Sequence, residues 1–268
     1  MSIAIIGSGM AGLLAAKALE DKGIKNFEIY DKSPGKGASG AVGLHYLHNR
    51  CGLPLKTERI QNVVIGDSKW KPPSVAYNDK IWGMMEHPDS NSLEQLVATN
   101  EIYNFGKAYK MLYEIYSDRI MESEIKGLSG MKRLANAHDY VLTTIPAPIW
   151  MGELHGVSFP KKEIKVSQKL PNNIEIPEWI DHFSLYNISE DDGWYRCSRV
   201  FGVVFTEYPK TADIENTMTA YKIRGATIPE SAKRKIPNNI YMVGRWGTWK
   251  RSYLVHQAYQ DIMNITVF

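Results

Sequence analysis

Gly7-x-Gly9-x-x-Gly12 lies between a short apolar run and an apolar-faced helix, and it constrains this chain more than any other feature. Ser2–Ile6 reads as a buried strand. Leu13–Lys22 reads as a helix, with Leu13, Leu14, Ala16, Ala18 and Leu19 forming its apolar surface and Gly23 ending it. Phe27–Tyr30 reads as a second strand that finishes at Asp31. Each glycine has a physical task in such a unit. Gly7 permits a tight turn, Gly9 lets the backbone approach a pyrophosphate, and Gly12 lets helix and strand pack closely. The helix N-terminus offers free N–H groups and partial positive charge to phosphates. Asp31, 19 positions beyond Gly12, is placed to accept hydrogen bonds from a ribose diol. The turn alone does not choose between a nicotinamide and a flavin dinucleotide.

The rest of the composition narrows the class. The chain has 268 residues, 44% of them hydrophobic and 23% charged, which excludes a disordered or fibrous protein. A net charge of +3 is too small to announce a nucleic-acid protein. Cys51 and Cys197 stand far apart with no C-x-x-C, which excludes a redox dithiol and a Cys-rich zinc site. No metal site is expected. No run of 18 apolar residues predicts a membrane helix. Ile3–Ile6 enters the Gly-rich turn directly and reads as a folded strand, not as a signal peptide, so the expected location is the cytoplasm.

Further along, Ser33–Gly43 is a Gly-rich loop that must pass close to something. Asn62–Asp67 and Ser74–Met84 read as strands, and Leu93–Ile120 as one long helix or two. Asp139–Ile145 is a β-rich run ended by Pro146 and Pro148. His182–Ile188 and Tyr195–Tyr208 read as antiparallel strands around a polar turn, Asn239–Val243 as a short strand, and Tyr253–Ile265 as a helix.

Three segments resolve the choice of dinucleotide by resemblance. Ala137-His138-Asp139-Tyr140-Val141-Leu142-Thr143-Thr144-Ile145-Pro146 resembles the A-D-x-V-V-x-T-x-P strand of FAD-dependent amine oxidases. Asn238–Gly247 resembles the strand and turn that return to the flavin in those proteins, and the loop after Asp31 lies where they keep a Gly-Gly-Arg-type element. Within that superfamily the chain is similar to UDP-galactopyranose mutases. Gly43-Leu44-His45-Tyr46-Leu47-His48 resembles their G-P-H-x-F-H element, and Gly244–Arg251 their G-R-x-G-x-Y-x-Y element. Ser198-Arg199 with the later Glu207 is faintly similar to T-R-x-x-E.

The resemblance implies bound FAD. Gly7, Gly9, Met10, Ala11 and Gly12 would hold its pyrophosphate, and Asp31 the adenosine ribose. Lys32 and Lys36 would meet phosphate or adenine edges. Ser39, Gly43 and Leu44 would pass beside the ribityl chain and ring, with Thr144, Pro146, Gly244 and Arg245 close by. Ile120–Ile125 would touch the adenine. Arg251-Ser252-Tyr253-Leu254 would open the last helix and aim its N–H groups at the flavin N1 and O2. His45 falls where the mutase pattern has a His beside the flavin, and a metal held by His45 and His48 is not expected.

On the substrate side, Trp194–Arg199 is an aromatic and arginine cluster. Strand alternation predicts that Tyr195, Cys197 and Arg199 share one face and Arg196 the other. Tyr195, Arg196 and Arg199 join His45 as candidates for the chemistry, with one Arg clamping an anionic substrate. Lys222–Arg251 holds eight Lys or Arg against Glu230 alone, which would attract a small-molecule anion, a nucleotide or DNA.

These readings predict an α/β protein, a Rossmann-like FAD-binding domain with a smaller β-rich insert. Residues 1–60, 118–150 and 232–268 form the first, residues 61–117 and 151–231 the second. One dinucleotide fingerprint leaves no NAD(P)H domain. The expected reaction is oxidation or cleavage of a C–N bond in an amine or amino-acid-type, anionic substrate. The alternative is redox-neutral, mutase- or lyase-like chemistry on a nucleotide-linked substrate or on an amino-acid-modified thymine of phage DNA, an analogy supported by the basic segment Lys222–Arg251.

Overall fold

Ile3–Ile6 has no polar side chain, and a strand apolar on both faces must lie in the middle of a covered sheet. A computed structural model, describing residues 1–36, 46–67, 70–83, 93, 97–98 and 100–266, places it there. In chain order the described strands are β1 (Ile3–Ile6), β2 (Phe27–Asp31), β3 (Tyr46–Leu47), β4 (Glu58–Arg59), β5 (Gln61–Ile65), β6 (Glu101–Asn104), β7 (Ile120–Glu122), β8 (Tyr140–Thr143), β9 (Lys161–Ser167), β10 (Phe183–Asn187), β11 (Arg196–Val200), β12 (Val203–Pro209), β13 (Met218–Ile223) and β14 (Ile240–Met242).

Five of them form one sheet in the order β14-β8-β1-β2-β7, and every pair is parallel. Counted within the sheet, this is the 3-2-1-4-5 order of a doubly wound dinucleotide fold, whose ligand crevice opens where the order reverses. That point lies between β1 and β8, which pair from Ile3↔Tyr140 to Ile6↔Thr143.

Alternation along β1 assigns the two covers. Ile3 and Ile5 face α1 (Met10–Asp21), the helix Phe105–Tyr116 and the helix Gln257–Asn264, through Leu13, Leu112, Tyr116, Ala258 and Ile262. Ala4 and Ile6 face the helices Gly127–Ala137 and Ala147–Met151, through Met131, Leu134 and Trp150. A six-stranded sheet, β13-β9-β12-β11-β10-β5, is antiparallel except for the β10–β5 pair.

Two expectations are corrected. Ser74–Met84 is not a strand: α2 spans Pro73–Trp82, with Pro73 in its first turn, where no N–H is needed, and Tyr77 and Ile81 buried one turn apart. Leu93–Ile120 is not continuous helix. β6 interrupts it, and Asn104 starts the next helix by accepting the Lys107 N–H at 2.9 Å.

The glycine turn carries the tightest contact. A Cβ on Gly12 would lie 1.8 Å from the Gly7 carbonyl oxygen, whereas one on Gly9 would meet nothing within 4 Å. Gly12→Ala is therefore expected to lose about 3 kcal/mol or more of stability, through overpacking against backbone that cannot retreat. Gly9→Ala should stay within about 1 kcal/mol of the parent. Urea unfolding of both variants checks the pair; an unaltered Gly12→Ala midpoint overturns the packing argument.

Candidate functional site

The glycine turn is pinned from the end of β2. Gly7 adopts φ +101° and donates its N–H to the Tyr30 carbonyl at 2.8 Å. Asp31 Oδ2 accepts the Ser8 N–H (2.5 Å) and hydroxyl (2.8 Å), and Oδ1 accepts the Ser33 N–H at 2.7 Å. The carboxylate thus fixes the turn and keeps acceptor capacity for a further donor. Gly9 is the N-cap of α1 and provides no side-chain cap, so the first-turn N–H groups stay available to a ligand. Met10 is buried and Ala11 half-buried.

The ends of β8 and β14 close on the same place. Thr144 Oγ1 donates to the Ile6 carbonyl at 2.9 Å, and Pro146 precedes the helix Ala147–Met151. Gly244, at φ +79°, brings its α-carbon so near α1 that a Cβ would sit 2.8 Å from the Ala11 Cβ. Lys32 and Lys36 lie on the exposed side of the segment after Asp31. Ser39, Gly43, Leu44 and His45 fall outside the described residues.

The expected helix start at Arg251–Leu254 is corrected. Trp249 takes a left-handed φ of +50° and ends the helix Gly244–Thr248, and the next helix begins only at Gln257. The Leu254 N–H is taken by Gln257 Oε1 at 2.6 Å, so it is not a free donor. Tyr253 is buried and its hydroxyl donates to Asp261, while its carbonyl accepts the Arg245 Nε–H at 3.0 Å. Ser252 lies in the intervening turn, half-buried.

Arg245 links the cradle to the second sheet. Its side chain is exposed to solvent and lies within electrostatic reach of Arg196, Glu207 and Arg251. Burial, and then the charge of Arg196, push its guanidinium down to about 10. On β11, Arg196 pairs in register with Tyr186 on one side and Glu207 on the other, and its guanidinium donates to the Glu207 carboxylate. The Lys222 ammonium donates to the other Glu207 oxygen at 2.6 Å. Burial would raise the Glu207 pKa, but Arg196 and Lys222 outweigh it and hold the carboxyl at about 2. Tyr77 and Tyr186 pack edge to face at 5.6 Å beside this triad.

Arg199 lies elsewhere, 5.5 Å over the Phe183 ring and 3.4 Å from the Ile180 carbonyl. The alternation expected for Tyr195 also fails. The strand begins only at Arg196, so Tyr195 packs with Tyr186 and Ile164, while Cys197 packs with Phe183 and Trp194. Of the proposed Arg pair, the structure brings Arg196 toward Arg245 and leaves Arg199 apart.

His48 stands 4.7 Å from the Tyr46 ring and 5.7 Å from the His256 ring. Burial, then the neighbouring His256 and Arg245, lower its pKa to about 4, so the imidazole is neutral at neutral pH. Among the described residues no group of three His, Cys, Asp or Glu could hold a metal, and no helix is long and apolar enough to cross a membrane.

No known family profile and no curated protein sequence matches this chain. Solved structures do. Reduced UDP-galactopyranose mutase aligns with TM-score 0.52 at 12% identity, covering 98% of this chain and 94% of that one. A conjugated-linoleic-acid-producing fatty acid isomerase from P. acnes gives 0.56 at 9%, covering 99% and 98%. Putrescine oxidase, solved with putrescine bound, gives 0.54 at 11%, covering 100% and 99%. The chain shares its fold with these enzymes.

Several residues of this site have no sequence motif. Tyr77, Tyr186 and Asn78 join Glu207 and Lys222 through strand register and through α2, which sequence periodicity does not expose. Glu207 shows in the sequence as the acid of the T-R-x-x-E-like segment, and Lys222 as the first cation of the basic segment Lys222–Arg251.

Two outcomes are expected. Glu207→Gln leaves the half-buried Arg196 and Lys222 without their carboxylate and should cost about 3 kcal/mol, whereas Arg199→Ala should cost about 1 kcal/mol; comparing their urea midpoints tests the difference. His48 takes a proton below about pH 6.5 when unfolded but only near pH 4 when folded. Its contribution is therefore complete above pH 6.5 and declines as pH falls toward 4. His48→Asn should flatten the stability–pH curve in that window, and an unchanged slope would count against the burial assigned to the ring.

Proposed function

We propose that this protein is an FAD-dependent enzyme that oxidises or cleaves a C–N bond of an amino-acid-type substrate. The observation that carries the reading is the cradle at the strand-order reversal: an uncapped helix start, an open Cβ position at Gly9, and Gly244 packed on Ala11, with the next residue, Arg245, within electrostatic reach of Arg196 and Glu207 in the second sheet. The residues fit the group. Gly7–Gly12 accept a pyrophosphate with backbone N–H groups, and Asp31 keeps room for a ribose hydroxyl while holding the turn. When bound, FAD supplies a hydride acceptor, and the protein supplies orientation and electrostatics.

On this reading residues 1–60, 118–150 and 232–268 carry the cofactor. Residues 61–117 and 151–231 face the substrate, apart from the helix Phe105–Tyr116, which packs on α1. Arg245 lies where it can meet the pyrophosphate or ribityl chain. Arg196, steadied by Glu207, orients the substrate from the second sheet. His48, neutral and ringed by Tyr46 and His256, can accept a proton beside Arg245. His45, immediately before β3, is the acid–base group suggested by the mutase-like motif. A second reading is redox-neutral chemistry on a nucleotide-linked substrate or an amino-acid-modified thymine in DNA; the surplus of cations around Glu207 favours keeping it.

Natively purified protein should be yellow, and heat or acid should release FAD and not FMN. Gly9→Val should fold and remain colourless, because a Cβ at this position meets nothing within 4 Å and any side chain there competes with the pyrophosphate for the close backbone approach. A colourless parent protein that takes up no added FAD refutes the proposal. Anaerobic mixing with amino acids or modified nucleosides then separates the two reactions. Lasting bleaching of the flavin supports C–N oxidation, and turnover without net bleaching supports the redox-neutral cycle.

A further inference from the structure

We propose that Arg196, Lys222 and Arg251, arranged around Glu207, form a preformed seat for an acid group of the substrate, a carboxylate or a phosphate. The inference rests on the reading that the adjoining cradle holds FAD, and it names the class of molecule brought to it.

The geometry is layered. Glu207 lies behind, with 6% of its side chain exposed, while Arg196 and Lys222 in front of it each keep 19%. One carboxylate faces two cations, and the cations keep more exposed surface than the carboxylate does. Arg251 adds a third charge: its guanidinium donates to Asn78 Oδ1 and lies 5.9 Å over the Trp82 ring. Arg224 lies 5.5 Å over the same ring. Burial and the charges of Arg196 and Arg251 act together to lower the Lys222 pKa, against the opposite pull of Glu207. Cations held this close repel one another, and an incoming anion relieves that repulsion.

The neutral groups of α2 point to the same ligand chemistry. Asn78 is 5% exposed and its Nδ2 has no acceptor, and the Trp82 Nε1–H is likewise buried without one. Buried donors lacking acceptors are uncommon in native structures, and two beside a cation cluster call for a ligand rich in acceptor oxygens. The cluster is separate from the pyrophosphate cradle. Arg196 and Lys222 belong to β11 and β13 and Asn78 to α2, whereas the residue packed on Ala11 is Gly244, which directly precedes Arg245. A diamine without an acid group would be repelled here. The seat therefore selects substrates that pair the reacting group with a carboxylate or a phosphate.

The test titrates inorganic phosphate and, separately, benzoate into the purified protein by calorimetry at constant ionic strength, with FAD content measured for each variant. One of the two should bind saturably; phosphate marks a phosphate-bearing substrate and benzoate a carboxylate-bearing one. Arg251→Gln should weaken that binding about 10-fold or more with FAD content unchanged. Glu207→Gln should lower Tm yet tighten the anion, which takes the carboxylate's place between Arg196 and Lys222 and restores part of the lost Tm. A purely structural role for Glu207 would lower stability and affinity together and would overturn the seat. So would failure of both anions to bind the parent, parent-like binding by Arg251→Gln, or FAD loss in step with anion loss. A parent protein that binds an anion but no FAD leaves the seat standing and removes the cofactor reading.

Discussion

The approach of α1 to the turn before it is the contact on which the rest depends. The Gly12 α-carbon lies so near the Gly7 carbonyl that no side chain fits between them. That closeness sets the helix direction relative to β1 and leaves the first-turn N–H groups pointing past the sheet edge. Asp31 then locks the same turn from β2, and Thr144 locks it from β8. Three strands are tied to one loop of six residues, so their carboxyl ends cannot shift independently.

From that fixed corner the chain builds outward by a different logic. The cradle uses backbone groups and almost no side-chain charge, whereas the neighbouring sheet concentrates charge around Glu207. Arg245 bridges the two environments, with its Nε–H fixed on the Tyr253 carbonyl. The fold is shared with a mutase, an isomerase and an oxidase at identities of 9–12%. At that distance the common part is the scaffold, and the chemistry resides in side chains that each chain supplies for itself.

Much of the scaffold was legible in the sequence, because it depends on local rules. The glycine spacing, the apolar β1 and the acid after β2 are consecutive along the chain, and β8 and β14 showed as apolar runs bounded by turn residues. The members Arg196, Glu207, Lys222 and Arg251 each stood out in the sequence, but their meeting in one cluster was not legible. Arg196 meets Glu207 by strand register, Lys222 reaches it from β13, and Arg251 meets α2 across 173 positions of sequence. α2 itself was misread as a strand, since Tyr77 and Trp82 favour strands by composition while packing against the second sheet decides for helix. The aromatic Tyr195 was assigned to the wrong face, because a bend before β11 breaks the alternation that the assignment assumed.

The cover of α1 has a consequence for how the chain acquires its structure. The helix Gln257–Asn264 lies along α1, and the Lys22 ammonium donates to the carbonyls of Ile262 (3.3 Å) and Met263 (3.4 Å) at its end. β1 is flanked by β8, which emerges more than a hundred residues later. At synthesis rates of about 5–20 residues per second, the β1–α1 unit would wait roughly 10–50 s on the ribosome for that helix. During that interval the part of the α1 face that the helix Gln257–Asn264 covers is without its cover, while the helix Phe105–Tyr116 is already available to pack on the rest. The corner built on the glycine turn thus becomes fully enclosed only after the helix Gln257–Asn264 has been made.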